Sequence, residues 1–482
     1  MILNLTTKKN IDKYDGFIIP LEASHTDVEV QGISVRKLIE NNKLKAKGGS
    51  LCHITVGKDG LVDAVIAVFD DKYLSSYRKL LSLFGDAFKT LEKNKAKNIA
   101  VDFEHISAYE DETTVKAAAE AMLMAGYKFD DFKTKKDGSK SELKADLIVN
   151  ENKFDGIVQE AKVLSAMNLK ARELVNLPAN LLTPSTLADK VEELGKQNGF
   201  ETKINGIDEI KDLGMEAYMS VAKASDEEPK LIVMRYNGNS ESNERLGLVG
   251  KGLTYDSGGL SIKSTKGMVD MKGDMAGSAA VIGAISAVAA MKLKVNVTAV
   301  VAACENMISG RSYRPGDIIG SMGGKSVFVG NTDAEGRLTL IDAMHYIVTR
   351  EKVTRVLDIA TLTGAALKCG GNAASIAISN DDGFYAKAED SFMLSGEQVI
   401  RMPILDEFRE LIKHEHADLT NIAGDPGTIT AGLFVGAFNG DKPWIHVDIA
   451  GTFMSEKDKG IYSKGATGEG VRPLYYLAKS LV

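Results

Sequence analysis

Apolar residues follow two different rhythms along this chain. In residues 1–155, short runs dense in β-branched side chains alternate with polar, helix-like stretches. GFIIP (16–20), CHITVG (52–57), VDAVIAVF (62–69), NIAVDF (98–103) and ADLIVN (145–150) predict strands. GKDG (57–60) predicts a hairpin turn, VKAAAEAMLMAGY (115–127) a helix closing near Gly126, and the charged stretch 131–143 an exposed loop. No cluster of metal ligands or bases stands out, so residues 1–155 read as a small α/β domain with an architectural or regulatory role.

Residues 156–180 form a linking segment: apolar positions recur at helical spacing until Pro178 and Pro184 intervene. Within residues 181–482 the strands become near-continuously apolar. LIVMRY (231–236), LGLVG (246–250), VNVTAVVAAC (295–304), RVLDIAT (355–361) and WIHVDIAG (444–451) alternate with helical stretches such as 276–291 and 337–350. Apolar strands separated by helices predict a mostly parallel sheet covered on both faces. The fold class is therefore α/β in two domains, a smaller N-terminal one and a larger C-terminal one with a central sheet flanked by helices. Ligands in such sheets gather beyond the C-terminal ends of the strands.

Composition narrows the function. The 482 residues are 44% hydrophobic and 26% charged, the balance of a globular protein, and two domains suit that length. A net charge of -7 and only 6% aromatic residues do not favour a nucleic-acid surface. Cys52, Cys304 and Cys369 form no CxxC pair and no disulfide framework, which suits a reducing compartment. The N-terminus lacks a secretory pattern, and the longest apolar run, 279–291, is shorter than a bilayer span and reads as a buried helix. A cytoplasmic protein without a membrane partner is expected.

Candidate chemistry lies on two segments of the larger domain. Residues 246–277 leave a buried strand and present Lys251, Asp256, Lys263 and Asp274 on a glycine-broken loop. Residues 330–344 present Asp333 and Glu335, which as extended i and i+2 positions address one site, and Arg337 follows at the turn into a helix. Four converging carboxylates without counter-charge would be too costly to bury. Two divalent cations offset them, and such a pair activates water and polarises a carbonyl. The oxygen-rich set suits Mn²⁺ or Mg²⁺ as well as Zn²⁺. Singly, each acidic residue could equally cap a turn or favour a helix N-terminus, and each lysine could be a solvated surface group. Asp270 and Lys272 read as ordinary polar residues, His345 and His446 as locally bonded, and 324–326 only superficially as a phosphate loop, because Ile319 stands where its first glycine belongs.

GKGLTYDSGGLSIK, MKGDMAGSAAV, ENMISGRSYRPGDI, NTDAEGRLTLIDA and DIATLTGA resemble, in order and spacing, the signature segments of the leucyl aminopeptidase family. HADLTNIAG, KPWIHVDIAG and GATGEGVRPL extend the likeness, which covers about 160–482. The resemblance implies a metallo-exopeptidase that removes leucine-like N-terminal residues from short peptides. It implies one metal ion (Mn²⁺ or Zn²⁺) on Asp256, Asp333 and Glu335, and a second on Lys251, Asp256, Asp274 and Glu335. Lys251 would ligate as a neutral amine, and a water activated between the metals would attack. Lys263 would polarise the substrate carbonyl, while Arg337, with backbone near Ala334, Gly336 and Leu362, would hold bicarbonate as proton acceptor. Met271, Thr361, Leu362, Gly364, Ala450 and Phe453 would line the substrate site. The family also implies a homohexamer, a dimer of trimers. Two rival readings stay open from the residues alone: another two-metal hydrolase such as a phosphatase or nuclease, and a nucleotide- or nucleic-acid-binding role for the first domain.

Overall fold

The computed structural model describes residues 1–8, 11–30, 32–56, 62–134, 143–151 and 153–482. The hairpin expected at 57–60 and most of the loop expected at 131–143 lie outside these residues. The chain divides into two compact units, one of Met1–Leu169 with Glu456–Lys464 and one of Lys170–Ser455 with Gly465–Val482. The division falls inside the helix Asp155–Asn176.

The first unit is built on a six-stranded sheet. In chain order its strands are β1 (Ile2–Thr6), β2 (Gly16–Glu22), β3 (Leu51–Val56), β4 (Val62–Phe69), β5 (Asn98–Asp102) and β6 (Lys144–Ile148). They lie in the order β1-β6-β5-β2-β4-β3, parallel except for the antiparallel β3–β4 pair. Alternation along β2 sends Ile18 into one core and Phe17, Ile19 and Leu21 into the other. Helix Tyr77–Lys93 buries Leu80, Phe84, Ala87, Phe88 and Leu91, spaced to form one stripe against the first of these cores. β1 was not expected from sequence: it is an edge strand burying only Leu3, so its apolar signal is weak.

The second unit holds an eight-stranded sheet. Its strands are β7 (Glu201–Asn205), β8 (Lys230–Asn237), β9 (Leu246–Asp256), β10 (Asn296–Asn306), β11 (Arg355–Ala360), β12 (Ser375–Ser379), β13 (Val399–Arg401) and β14 (Trp444–Asp448). The order is β13-β12-β14-β11-β9-β10-β8-β7. The four central strands β14, β11, β9 and β10 run parallel; β8 pairs antiparallel with β10, β7 pairs antiparallel with β8, and β12 pairs antiparallel with β14. The sheet is thus mixed, with its parallel core where the apolar runs are longest.

Helices cover both faces of that core. Val249 of β9 packs in the cluster with Leu338 and Ile341 of helix Gly336–Arg350. The next residue, Gly250, faces the start of helix Ala276–Ala290, where a Cβ would sit 2.6 Å from the Gly277 carbonyl oxygen. The stretch Thr265–Ala290 is long and apolar enough to cross a membrane by composition, yet 94% of its apolar window is buried inside the protein.

A buried carboxyl ties the helix Gly336–Arg350 to its neighbours. Asp342 accepts the Tyr218 N–H at 2.9 Å and the Met322 N–H at 2.8 Å. Burial outweighs those bonds and pushes its pKa up to about 7. A raised carboxyl stabilises the fold below its unfolded value, about 3.9, and that contribution is lost as pH rises towards 7. Asp342→Asn removes the titration and turns an amide donor toward a backbone N–H, costing about 1–3 kcal/mol at acid pH. Its deficit relative to wild type should shrink between about pH 4 and 7, which denaturant titrations at several pH values would read.

Candidate metal centre

The acidic residues meet at the C-terminal edge of the parallel core. Lys251 lies within β9 and Asp256 ends it. Five positions apart, they would face opposite sides of a regular strand. The register of β9 against β10 shifts between Leu253 and Tyr255, opposite Cys304 and Glu305, leaving Thr254 as an extra residue. Such a bulge resets the alternation and turns Asp256 to the face that Lys251 occupies. Asp274 follows the 3₁₀ turn Met271–Gly273, and Glu335 immediately precedes helix Gly336–Arg350.

Distances show one cluster. Lys251 Nζ lies 2.7 Å from Asp274 Oδ2, 3.0 Å from Glu335 Oε1 and 2.9 Å from the Thr361 carbonyl oxygen. Lys263 Nζ lies 2.8 Å from Asp256 Oδ2 and also pairs with Asp333. Oxygens of Asp256, Asp333 and Glu335 fall within 4.8 Å of one another, the one such group among the described residues. Four carboxylates therefore share two ammonium groups, and Glu335 Oε2 is buried with no hydrogen-bond partner. Burial, then the neighbouring Asp256 charge, raises the pKa of Glu335, and burial likewise raises those of Asp274 and Asp333. A site with surplus carboxylate, an orphaned oxygen and raised pKa values fits divalent cations.

The same geometry bears on the lysines. Burial favours neutral Lys251, but Asp274, Glu335 and Asp256 outweigh it and hold the amine above its usual range. Those carboxylates thus favour an ammonium, and the neutral ligand implied by the resemblance requires cations to take them over. Lys263 is raised for the same reason, with Asp256 and Glu335 overcoming burial. Arg337 is buried, its Nε has no partner, and burial pushes its pKa down to about 10.

A cleft of about 400 Å³ opens over the cluster, lined by Met271, Ala334, Thr361, Leu362, Gly364, Ala450 and Phe453 as well as by the charged residues and Arg337. Gly336 stands behind it, where a Cβ would lie 2.2 Å from Lys251 Cε. The Leu362 N–H is already bonded to Asp448 Oδ1 at 3.1 Å, so among the expected anion contacts this donor is committed elsewhere. Thr361, read as a pocket wall, also donates its hydroxyl to Asp274 Oδ1 at 2.8 Å.

Several supports escaped the sequence reading. Asn306 Nδ2 donates to Asp256 Oδ1 at 2.8 Å and to the Thr332 carbonyl at 3.0 Å, and the Tyr313 hydroxyl reaches that carbonyl at 2.8 Å. Asn421 bonds Gly330 N–H and the Asn331 carbonyl, fixing the segment that carries Asp333. Uncharged amides of this kind carry no ligand signal of their own, although Asn306 lies within the ENMISG segment.

Residues 169–475 match the catalytic domain of the cytosol aminopeptidase family, and residues 20–136 match that family's N-terminal domain. The chain belongs to the cytosol aminopeptidase family. A probable cytosol aminopeptidase of Clostridium perfringens (strain 13 / Type A) is 43% identical, with 98% of each chain covered. That of Clostridium tetani (strain Massachusetts / E88) is 46% identical over 89% of each chain. Among solved structures, the bottromycin maturation enzyme BotP in complex with Mn is similar at a TM-score of 0.86 and 26% identity, covering 97% of this chain and 99% of that one. As a cytosol aminopeptidase family member the protein is a metallo-exopeptidase, hydrolysing peptides from their N-terminus in a metal-dependent reaction.

Gly336 offers a direct perturbation of this family member's site. Its backbone is helical and accepts alanine, and the nearest atoms an added Cβ would meet are Cε, Nζ and Cδ of Lys251, at 2.2, 2.6 and 2.8 Å. Lys251 is buried and held by Asp274, Glu335 and the Thr361 carbonyl, so Gly336→Ala, by displacing the amine, should cost about 3–5 kcal/mol, read as a lowered melting temperature. Mn²⁺ affinity should fall by at least about 10-fold, as when a residue supporting a metal ligand is lost, measured calorimetrically on metal-free protein.

Proposed function

We propose that this protein removes leucine-like first residues from short peptides in the cytoplasm, working as a homohexamer with two Mn²⁺ or Zn²⁺ ions per chain. The observation that carries the reading is the convergence of four carboxylates and two lysines beside an apolar-walled cleft. Asp256, Asp333 and Glu335 would hold one ion, and Lys251, Asp256, Asp274 and Glu335 the other. When bound, such a pair supplies a water of lowered pKa and a polarised carbonyl. Support for manganese comes from BotP, whose structure contains it; support for the compartment comes from the relatives' name.

The chain's own groups divide the remaining work. Lys263 Nζ, partly exposed to the cleft, would donate a hydrogen bond to the scissile carbonyl oxygen as negative charge develops there. Arg337 would hold bicarbonate through its guanidinium, whose Nε has no partner, placing a proton acceptor in the cleft. Met271, Ala450 and Phe453 would take the first side chain and shed its water. Thr361 and Leu362 would contribute the backbone between these two regions.

A series of amino-acid amides tests the specificity. Apolar burial is worth about 0.8 kcal/mol per methylene, so leucine and methionine amides should exceed alanine amide by roughly 10–100-fold in kcat/KM. Removing bicarbonate should slow wild type and leave Arg337→Ala unaffected. Cleavage restricted to one specialised dipeptide such as Cys-Gly would overturn the leucine preference.

A further inference from the structure

Strand β14 ends at Asp448, paired in register with Ala360 at the end of β11. The Asp448 side chain is fully buried and collects three donors from two loops. Its Oδ1 accepts the N–H groups of Leu362 and Ala450, each at 3.1 Å, and its Oδ2 accepts the Thr363 hydroxyl at 2.7 Å. None of these bonds was anticipated from sequence, where Asp448 was only the tail of a strand.

One of the bonds reaches the metal cluster. In a trans peptide the C=O and the following N–H point in opposite directions. Asp448 fixes the Leu362 N–H, so the Thr361 carbonyl of the same peptide must point away from it. That carbonyl accepts Lys251 Nζ at 2.9 Å, and the Thr361 hydroxyl donates to Asp274 Oδ1 at 2.8 Å. The second bond holds Ala450, on the wall of the cleft.

We propose that Asp448 is a positioning residue that sets the Thr361–Leu362 peptide, and through it the Lys251 amine and the Asp274 carboxylate, by hydrogen-bond geometry. The inference rests on the proposed assignment of Lys251 and Asp274 to the metal centre. Geometry rather than charge is the operative property. Both N–H groups converge on one oxygen, which a carboxamide retains, and the Thr363 hydroxyl can accept from an amide while donating to Thr428, 2.9 Å away. Burial pushes the Asp448 carboxyl pKa upward.

Three substitutions separate the possibilities: Asp448→Asn keeps the shape, Asp448→Glu keeps the charge but displaces it, and Asp448→Ala removes both. Full-length protein stripped of metal and titrated with Mn²⁺ by calorimetry reports affinity without turnover. Thermal melting checks folding, and kcat and KM on leucine amide give a second readout. Asp448→Asn should stay within about 3-fold of wild type, whereas Asp448→Glu and Asp448→Ala should lose about 10-fold or more in Mn²⁺ affinity, with kcat falling in the same order. Should Asp448→Ala not fold, the contrast between Asn and Glu decides. Loss in Asp448→Asn equal to that in Asp448→Glu, or folded variants that all bind Mn²⁺ like wild type, would overturn the inference. A wild-type chain that binds no Mn²⁺ would instead overturn the proposed function, and this inference with it.

Discussion

Glu335→Ala is expected to abolish peptide hydrolysis, with a loss well beyond the roughly 100-fold seen when a residue merely supporting a metal ligand is removed. Glu335 is buried, pairs with Lys251 at 3.0 Å and keeps one oxygen without a hydrogen bond. With Asp256 it is one of the two residues assigned to both metal positions, so its loss should lower Mn²⁺ bound per chain as well as rate. Folding should survive. The cluster carries more negative than positive charge, and removing one buried carboxylate relieves repulsion from Asp256 and Asp274. An inactive Glu335→Ala protein should therefore melt at or above the metal-free wild-type temperature. Full activity in this variant, or an unchanged Mn²⁺ stoichiometry, would remove Glu335 from the site.

Lys263→Ala should behave differently. Lys263 bridges Asp256 and Asp333 yet reaches the cleft. A donor aimed at developing charge contributes to the transition state more than to substrate binding. The substitution should lower kcat about 10²–10³-fold with little change in KM, the scale of losing one oxyanion donor. Removing a competing cation from Asp256 and Asp333 should leave Mn²⁺ affinity equal to wild type or higher. The contrast with Glu335→Ala is diagnostic: one variant loses metal and rate together, the other loses rate while retaining metal. Metal titration beside steady-state kinetics reads both.

Much of this was legible in the chain because ionisable residues advertise themselves. Asp256, Asp274, Asp333 and Glu335 stood out on two glycine-rich segments, and the structure brings them into one cluster with Lys251 and Lys263. The central strands were legible for a related reason: burial on both faces leaves continuous apolar runs, as in β9 and β10. Edge elements were not. Glu201–Asn205 and Val399–Arg401 bury little, so their patterns resemble exposed coil.

Long-range partners stayed hidden for another reason. The bulge at Thr254 depends on pairing with a strand about fifty positions on, and Asn306 acts through Asp256 and the Thr332 carbonyl, neither adjacent in sequence. Asp448 serves Leu362 across 86 positions. The segment Glu456–Lys464 belongs to the first compact unit although the second unit's sequence flanks it on both sides. Its Ile461 packs in the core beside Phe84 and Phe88, and no local composition signals that.

With metal held at this cluster, the protein should hydrolyse peptides only from a free N-terminus. The most direct test is leucine release from leucine amide and from its N-acetylated counterpart, using protein stripped of metal and the same protein resupplied with Mn²⁺ or Zn²⁺. Release is expected from the free-amine substrate alone, and only after metal is restored. Equal cleavage of the acetylated substrate, or undiminished release by the stripped protein, would contradict it.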